Sequence, residues 1–113
     1  MIELINVSRS FGDIAAVQGV SFEIPASQIT ILTGADGAGK STLFKMLVGL
    51  VRRDCGDIFL KGENIGSDYS KMTGITGYMP ERFSLYPDLS VEENLNFFAD
   101  IHQVPLKKRE ERK

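Results

Sequence analysis

Cysteine and histidine are nearly absent from this chain of 113 residues, which holds one of each. The single cysteine, Cys55, excludes an internal disulfide and is compatible with a reducing compartment. We interpret Cys55 as an incidental loop thiol. One cysteine and one histidine, His102, also give no support to a metal site built from these two residue types.

Basic charge in excess and long apolar runs are missing as well. The formal net charge is −2, so the chain has no general electrostatic attraction to nucleic acid or to an anionic membrane, and we expect no nucleic-acid partner. No window approaches the roughly 18 apolar residues that a membrane span needs. The first seven residues lack the basic region of a signal peptide. The hydrophobic fraction of 42% and the length predict one globular domain.

The most informative stretch runs from residue 34 to residue 42 and fits the phosphate-loop pattern G-x-x-x-x-G-K-[ST]. Its glycines let the backbone turn tightly and bring N–H groups close to an anion. Lys40 adds a cation for the terminal phosphates, and the Ser41 hydroxyl can bind Mg²⁺. The predicted phosphate site consists of Gly34, Ala35, Asp36, Gly37, Ala38, Gly39, Lys40, Ser41 and Thr42.

Such a motif requires a strand before it and a helix after it. Residues 28–33 are short, β-branched and mostly apolar, which predicts a buried strand. Leu43, Met46, Leu47 and Leu50 fall on one face of a helix that we expect to extend to about residue 51. The alternative is a Gly-rich turn between two core elements that binds no ligand.

The rest of the chain alternates predicted strands and helices. Apolar patterning predicts strands at 2–7, within 15–24, at 58–60 and at 75–79, with a break at 8–10 and a turn at 11–13. A capping-box sequence predicts that a helix begins at Ser90, and Pro105 marks its end. We expect a loop or short helical turn at 65–74 and a loop at 81–88. The mixed-charge tail at 107–113 is better interpreted as a solvated helix turn than as a nucleic-acid-binding tail.

Three further stretches surround the phosphate loop in a familiar arrangement: residues 17–24, residues 54–62, and Gly77-Tyr78-Met79-Pro80-Glu81 followed by 85–95. With the phosphate loop and Phe11 they resemble the ATP-binding domain of ABC transporters over nearly the whole chain. The later part is most similar to bacterial exporters of the multidrug type. The resemblance implies an incomplete α/β P-loop NTPase fold. Residues 1–80 would form its β-rich and P-loop part, and residues 81–113 the Q-loop region and the start of the helical subdomain.

The resemblance also implies roles for individual residues. Phe11 would stack on the adenine of ATP, although a satellite core aromatic is the alternative. The backbone of residues 35–41 and Lys40 would hold the β- and γ-phosphates, Ser41 would bind Mg²⁺, and Thr42 would contact an inner phosphate. The implied partners are a transmembrane permease and a second nucleotide-binding domain. The implied location is the cytoplasmic face of the cell membrane, and the implied process is ATP-driven export.

Two departures from the family pattern limit these implications. Glu81 stands where the family has the Gln that reaches Mg²⁺ or the attacking water, so the resemblance makes Glu81 and Lys40 the candidate catalytic residues. The Glu81 carboxylate can still bind Mg²⁺, but it adds a negative charge near the γ-phosphate; a surface Glu is the alternative. The sequence also holds no Leu-Ser-Gly-Gly-Gln signature, no apolar strand ending in Asp-Glu and no switch His. We therefore expect an N-terminal portion of an ABC ATPase that binds ATP without hydrolysing it. With sheet strands missing, we expect marginal stability and a tendency to associate.

Other readings of the chain remain open. It could be a non-catalytic nucleotide-binding remnant with no transport role. Another P-loop class is disfavoured, because a nucleotide kinase needs an acceptor site and lid arginines that we cannot place, and a GTPase needs an Asn-Lys-x-Asp motif that is absent.

Overall fold

A computed structural model describes residues 1–112 as two compact units, Met1–Tyr78 and a second unit that begins at Met79. The elements in chain order are β1 (Ile2–Phe11), β2 (Ile14–Ile24), α1 (Lys40–Leu47), β3 (Cys55–Leu60), β4 (Glu63–Asn64), α2 (Ser70–Thr73), α3 (Val91–Ile101) and α4 (Leu106–Glu110). Within residues 1–112, no helix has the length and apolar character needed to cross a membrane.

The first unit is built on an antiparallel sheet of four strands in the order β2-β1-β3-β4. Ile2 pairs with Ile24 of β2 and with Leu60 of β3, so β1 is a central strand. The register shifts after Leu4, and Asn6 there has a φ of 49°, which marks an irregularity in β1. The sheet holds β1 in place along its whole length up to Phe11.

The core of the first unit combines side chains from the sheet and from two helices. Leu4 and Ile58 of the sheet are fully buried, as are Met46 of α1 and Met72 of α2. They belong to one cluster of apolar side chains. Because Leu43 of α1 also lies in this cluster, the helix that follows the phosphate loop is anchored in the core.

In the second unit, hydrogen bonds between Ser90 and Glu93 fix the start of α3. Ser90 is the N-cap residue, its hydroxyl accepts from the Glu93 N–H, and its own N–H donates to the Glu93 carboxylate at 2.8 Å. Hydrogen bonds from Ser90 to the carboxylate, mainly from its backbone N–H, lower the pKa of the Glu93 carboxyl. The predicted capping box at Ser90 is confirmed.

Asn94 is the buried polar residue of α3. Its side-chain Oδ1 accepts from the Tyr86 N–H, and its Nδ2 donates to the carbonyls of Tyr86, Leu89 and Ser90 at 3.0–3.1 Å. All four of these hydrogen bonds tie the segment before the helix to its first turn. The segment 81–90 contains no helix or strand, as expected for a loop.

The predictions of strands at 28–33 and at 75–79 are wrong. Neither segment is a strand, and Ile29, Ile31 and Met79 are 94%, 80% and 91% exposed. A strand is stabilised by hydrogen bonds to its neighbours and by packing on its faces. The described sheet pairs only β1 to β4, so neither segment has a neighbouring strand in residues 1–112. Their apolar composition therefore did not suffice to make them strands.

Several predicted boundaries also differ from the structure. The break expected at 8–10 is absent, since β1 continues to Phe11. Helix α1 ends at Leu47 rather than near residue 51, and Leu50 is 63% exposed instead of lying on the buried face. Cys55 is the first residue of β3 and not a loop residue. The strand predicted within 15–24 and the short helical turn expected within 65–74 are confirmed as β2 and α2.

Candidate nucleotide-binding site

The predicted phosphate loop leads directly into α1. Gly37 and Gly39 have φ values of 79° and 73°, in the left-handed region that glycine adopts without steric cost. Gly39 is the N-cap residue, and α1 begins at Lys40. A glycine N-cap offers no side chain to the N–H groups of the first turn, and a helix N-terminus favours an anion. This backbone geometry is compatible with an anion at the start of α1.

The loop is seated closely on strand β2. A Cβ atom added to Gly39 would lie 1.8 Å from the carbonyl oxygen of Ala16 and 2.9 Å from its carbonyl carbon. A Cβ added to Gly37 would meet nothing within 4 Å. The two glycines thus have different functions: Gly39 permits backbone contact with β2, whereas Gly37 faces open space.

The Lys40 side chain folds back over the loop. Its Nζ donates to the carbonyl oxygens of Gly34 at 2.8 Å and of Ala35 at 3.3 Å. The Ala38 N–H also donates to the Ala35 carbonyl, at 3.1 Å, which closes the loop on itself. A lysine ammonium has three donors. Phosphate oxygens entering the loop would take the place of these carbonyls at the ammonium.

A cavity of about 510 Å³ lies between the loop and the β2 edge. This volume is in the usual range for small-molecule sites, about 300–1,000 Å³. The lining residues come from β2, from the segment before the loop, and from the loop and α1: Ala15, Ala16, Val17, Gln18, Val20, Phe22, Leu32, Thr33, Gly37, Ala38, Gly39, Lys40 and Leu43. A cation, a glycine-rich backbone and a helix start at one end of this cavity fit a polyphosphate.

Phe11 lies at the end of the hairpin whose strand β2 lines this cavity. It is the last residue of β1, pairs with Ile14 and is 46% exposed. Ala15, the next residue of β2, lines the cavity, but Phe11 does not. Its predicted stacking on adenine stays a prediction.

The other predicted site residues are placed as follows. Ser41 is exposed and Thr42 half-buried, both in the first turn of α1, while Gly34, Asp36 and Ala38 are exposed in the loop. Glu81 belongs to the second unit, where it is exposed in the segment before α3. Its predicted place near Mg²⁺ stays a prediction. The division of the chain into a β-rich and P-loop part at 1–80 and a Q-loop and helical-subdomain part at 81–113 also stays a prediction.

The β2 edge was missed as part of the site. Ala16 and Val17 line the cavity and approach the loop, although no motif marks them. Their contact with Gly39 joins residues more than 20 positions apart in sequence. Local patterns of hydrophobicity carry no information about such a contact, so only the folded chain reveals it.

A family model described as "ABC transporter" matches residues 17–113. The chain belongs to the ABC transporter family. This match confirms the resemblance noted from the phosphate loop and its surroundings. The chain corresponds to part of an ABC-type ATP-binding domain.

Curated relatives agree with this assignment. The chain is 39% identical over 102 residues to the probable multidrug ABC transporter ATP-binding protein YbhF of Escherichia coli, covering 90% of this chain and 18% of YbhF. It is 35% identical over 102 residues to the linearmycin resistance ATP-binding protein LnrL of Bacillus subtilis, covering 90% and 33%. It is also 41% identical over 99 residues to the ribose import ATP-binding protein RbsA of Rhodococcus jostii, covering 84% and 19%.

Solved structures show the same fold. An ATP-binding subunit of an ABC transporter superposes with a TM-score of 0.84 at 27% identity, covering 99% of this chain and 47% of that chain. The ATP-binding cassette MJ0796, a post-hydrolysis dimer bound to ADP and Pi, superposes with a TM-score of 0.78 at 22% identity, covering 99% and 53%. The predicted fold class, an ABC-type P-loop NTPase, is confirmed. The chain spans between about a fifth and a half of the proteins named here.

Proposed function

We propose that this ABC chain binds ATP through the loop at residues 34–42, as the nucleotide-binding part of an ATPase that drives transport. The observation that carries the proposal is the position of the Lys40 ammonium, 2.8 Å from the Gly34 carbonyl and beside the cavity between the loop and β2. Charge-assisted hydrogen bonds from such an ammonium to phosphate oxygens are roughly twice as strong as neutral ones. The backbone of residues 35–41 would hold the same phosphates.

Mg²⁺ would be bound together with the nucleotide. Mg²⁺ is usually held by one or two protein oxygens, by water and by substrate phosphates rather than by an all-protein cage. The Ser41 hydroxyl, in the first turn of α1, is the protein oxygen that we assign to it. When bound, Mg²⁺ neutralises charge on the β- and γ-phosphates. Thr42, the next residue, would contact an inner phosphate.

Binding can be measured by isothermal titration calorimetry of the chain with ATP and Mg²⁺. Lys40→Ala removes the ammonium and is expected to weaken ATP binding by about 10- to 100-fold, as for the loss of a hydrogen bond from a charged group. Lys45→Ala is the matched control, because Lys45 is an exposed lysine on the same helix. Equal affinities of the Lys40→Ala chain and the unmodified chain would contradict the proposal, as would an equal loss in both variants.

The chain itself is proposed to bind ATP without hydrolysing it. Phosphoryl transfer needs a group that orients the attacking water, as well as groups that hold the phosphates. The 113 residues contain no signature motif, no Asp-Glu pair after an apolar strand and no switch His. A phosphate-release assay on the purified chain tests this. Release that depends on Lys40 would show that the chain supplies the missing groups from elsewhere in its own sequence.

We infer that the transport is export, through a permease partner and a second nucleotide-binding domain. The name of a similar protein from Burkholderia lata, Nod factor export ATP-binding protein I, states export. YbhF and LnrL are named for multidrug transport and for linearmycin resistance, which fit export. The name of RbsA supports import instead. Deletion of the gene in its host distinguishes the two directions: export predicts higher sensitivity to a toxic compound, and import predicts failure to grow on a transported nutrient.

A further inference from the structure

The guanidinium of Arg9 lies over the ring of Phe11, with the Arg9 Cζ 4.6 Å from the ring centroid. At this distance the negative face of the ring attracts the cation. The contact covers one face of the ring, while Phe11 as a whole remains 46% exposed. An aromatic ring that is held on one face and exposed elsewhere offers a platform for a stacked base.

Arg9 is in turn held by Asp54. The Arg9 Nη1 donates to the Asp54 Oδ1 at 2.9 Å, and the Asp54 Oδ2 accepts from the Ser10 N–H at 2.7 Å. The Asp54 N–H donates to the Ser8 carbonyl at 2.8 Å. Asp54 therefore contacts the three consecutive residues of β1 that precede Phe11. It also directly precedes β3, at the end of the connection from α1, so it joins the chain after the phosphate-loop helix to the end of β1.

The Arg9 Nε is buried and has no hydrogen-bond partner among residues 1–112. An unsatisfied buried donor is unfavourable. The ion pair with Asp54 and the contact with the Phe11 ring must therefore outweigh this cost, and these two contacts set the orientation of the side chain.

We propose that Arg9 is a positioning residue that Asp54 holds against Phe11, so that Phe11 presents one face to the base of the bound nucleotide. Arg9 acts through the ring and makes no contact with the nucleotide itself. This inference rests on the proposed binding of ATP and on the predicted stacking of Phe11 on its base. It adds two residues, Arg9 and Asp54, to those that determine the affinity for the nucleoside part of ATP.

The experiment separates the base from the phosphates. Dissociation constants are measured by calorimetry for Mg-ATP and for Mg-tripolyphosphate, which has no base, and their ratio reports the contribution of the nucleoside. Phe11→Leu is expected to lower the tripolyphosphate-to-ATP ratio by about tenfold, as for the loss of one base stack. Arg9→Met is expected to lower the same ratio by about two- to fivefold, the range for a partly exposed cation–π contact. Asp54→Asn should also lower this ratio. Arg9→Lys keeps the positive charge, so its ratio should lie between that of Arg9→Met and that of the unmodified chain.

The double variant Arg9→Met with Phe11→Leu decides between an indirect and a direct role. If Arg9 acts through Phe11, the double variant has the ratio of Phe11→Leu alone. The inference is overturned if Arg9→Met weakens the binding of ATP and of tripolyphosphate equally. It is also overturned if Arg9→Met still lowers the ratio in a chain that already carries Phe11→Leu. An unchanged ratio in Phe11→Leu overturns the stacking proposal and the inference together. Lys45→Met, an exposed lysine on α1, is the control for removal of a positive charge.

A spectroscopic readout supplements the binding data, since the chain contains no tryptophan. Phe11→Trp introduces a single indole at the platform. Adding Arg9→Met to this variant is expected to shift the indole emission to longer wavelength, because the covered face of the ring becomes exposed to water. Unchanged emission would show that Arg9 does not hold the ring, and would overturn the inference even if the chain retained its fold.

Discussion

Replacing Gly39 by alanine is expected to separate the phosphate loop from strand β2. The added Cβ would lie 1.8 Å from the Ala16 carbonyl oxygen, whereas real Cβ atoms essentially never come within 3.0 Å of such an atom. Loop or strand must therefore move by more than about 1 Å. The φ of 73° adds a backbone cost of about 1–2 kcal/mol for a residue with a side chain. Relief of the overlap costs about 1–3 kcal/mol more.

Gly37→Ala is the matched control, since Gly37 has a similar φ of 79° but open space around the added Cβ. The two variants therefore share the backbone cost and differ in the overlap with Ala16. We expect a loss of unfolding free energy of about 1–2 kcal/mol for Gly37→Ala and about 2–5 kcal/mol for Gly39→Ala. Urea unfolding followed by far-ultraviolet circular dichroism measures both, with an added osmolyte to stabilise the folded baseline.

Equal losses in the two variants would refute this reasoning. They would mean that the loop is not seated on β2 and that the cavity between them lacks the described shape. A Gly39→Ala chain that keeps the stability of the unmodified chain would refute the assigned backbone conformation as well.

Three further predictions concern the rest of the described chain. Gly56→Ala would place a Cβ 2.3 Å from a carbonyl oxygen of β1, so it should lower the unfolding free energy of the first unit by about 2–5 kcal/mol. Gly62→Ala is the control, because a Cβ there would meet nothing within 4 Å, and its cost should be about 1–2 kcal/mol. Urea unfolding measures both. Asn94→Asp replaces an amide donor that serves three carbonyls, so the free energy of opening the segment before α3, measured by hydrogen exchange, should fall by about 2–4 kcal/mol. The pKa of Glu93 is lowered from 4.5 in the folded chain. The Glu93 carboxylate therefore stabilises α3 above pH 4.5, and this stabilisation is lost as the pH falls through the lowered pKa. In Glu93→Gln, the hydrogen exchange of the α3 amides should no longer show this pH dependence.

Each of these predictions has a contradicting result. Equal effects of the two glycine variants would show that β3 does not approach the β1 backbone at Gly56. Hydrogen exchange before α3 that is unaffected by Asn94→Asp would show that the amide does not hold this segment. An acid-induced loss of α3 protection that persists in Glu93→Gln would assign the pH dependence to another carboxylate.

The carboxylate at Glu81 provides a test of the departure from the family pattern. If Glu81 lies near the phosphates, Glu81→Gln removes a repulsive charge and should strengthen ATP binding at low Mg²⁺ by about two- to fivefold. Calorimetry at low and high Mg²⁺ measures the effect. An affinity that does not change with this substitution at either Mg²⁺ concentration would support the interpretation of Glu81 as a surface residue.

Features determined by nearby residues could be predicted from the sequence. The capping box at Ser90 needs only Ser and Glu three positions apart, and the helix after Gly39 needs only its apolar face and the loop before it. The strand predicted within 15–24 follows from its own alternation of apolar and polar residues. For the same reason, a tight glycine turn that leads into a helix could be predicted from residues 34–42 alone.

Features determined by distant residues could not be predicted. The segments at 28–33 and 75–79 have strand-like composition, but a strand also needs neighbours, and the described sheet gives them none. The approach of Gly39 to Ala16, and the contact of Asp54 with Arg9, join residues that are far apart in the sequence. These contacts define the shape of the site and the setting of Phe11, so the sequence indicated the chemistry of the site better than its geometry.

The central claim is that the loop at residues 34–42 binds ATP, and amide chemical shifts test it most directly. The isotope-labelled chain is titrated with Mg-ATP, and titration with Mg²⁺ alone serves as the reference. We expect the largest ATP-dependent shifts in residues 34–42 and smaller shifts at the β2 edge that lines the cavity. Largest shifts in the unit that begins at Met79, or no shifts at millimolar ATP, would contradict it.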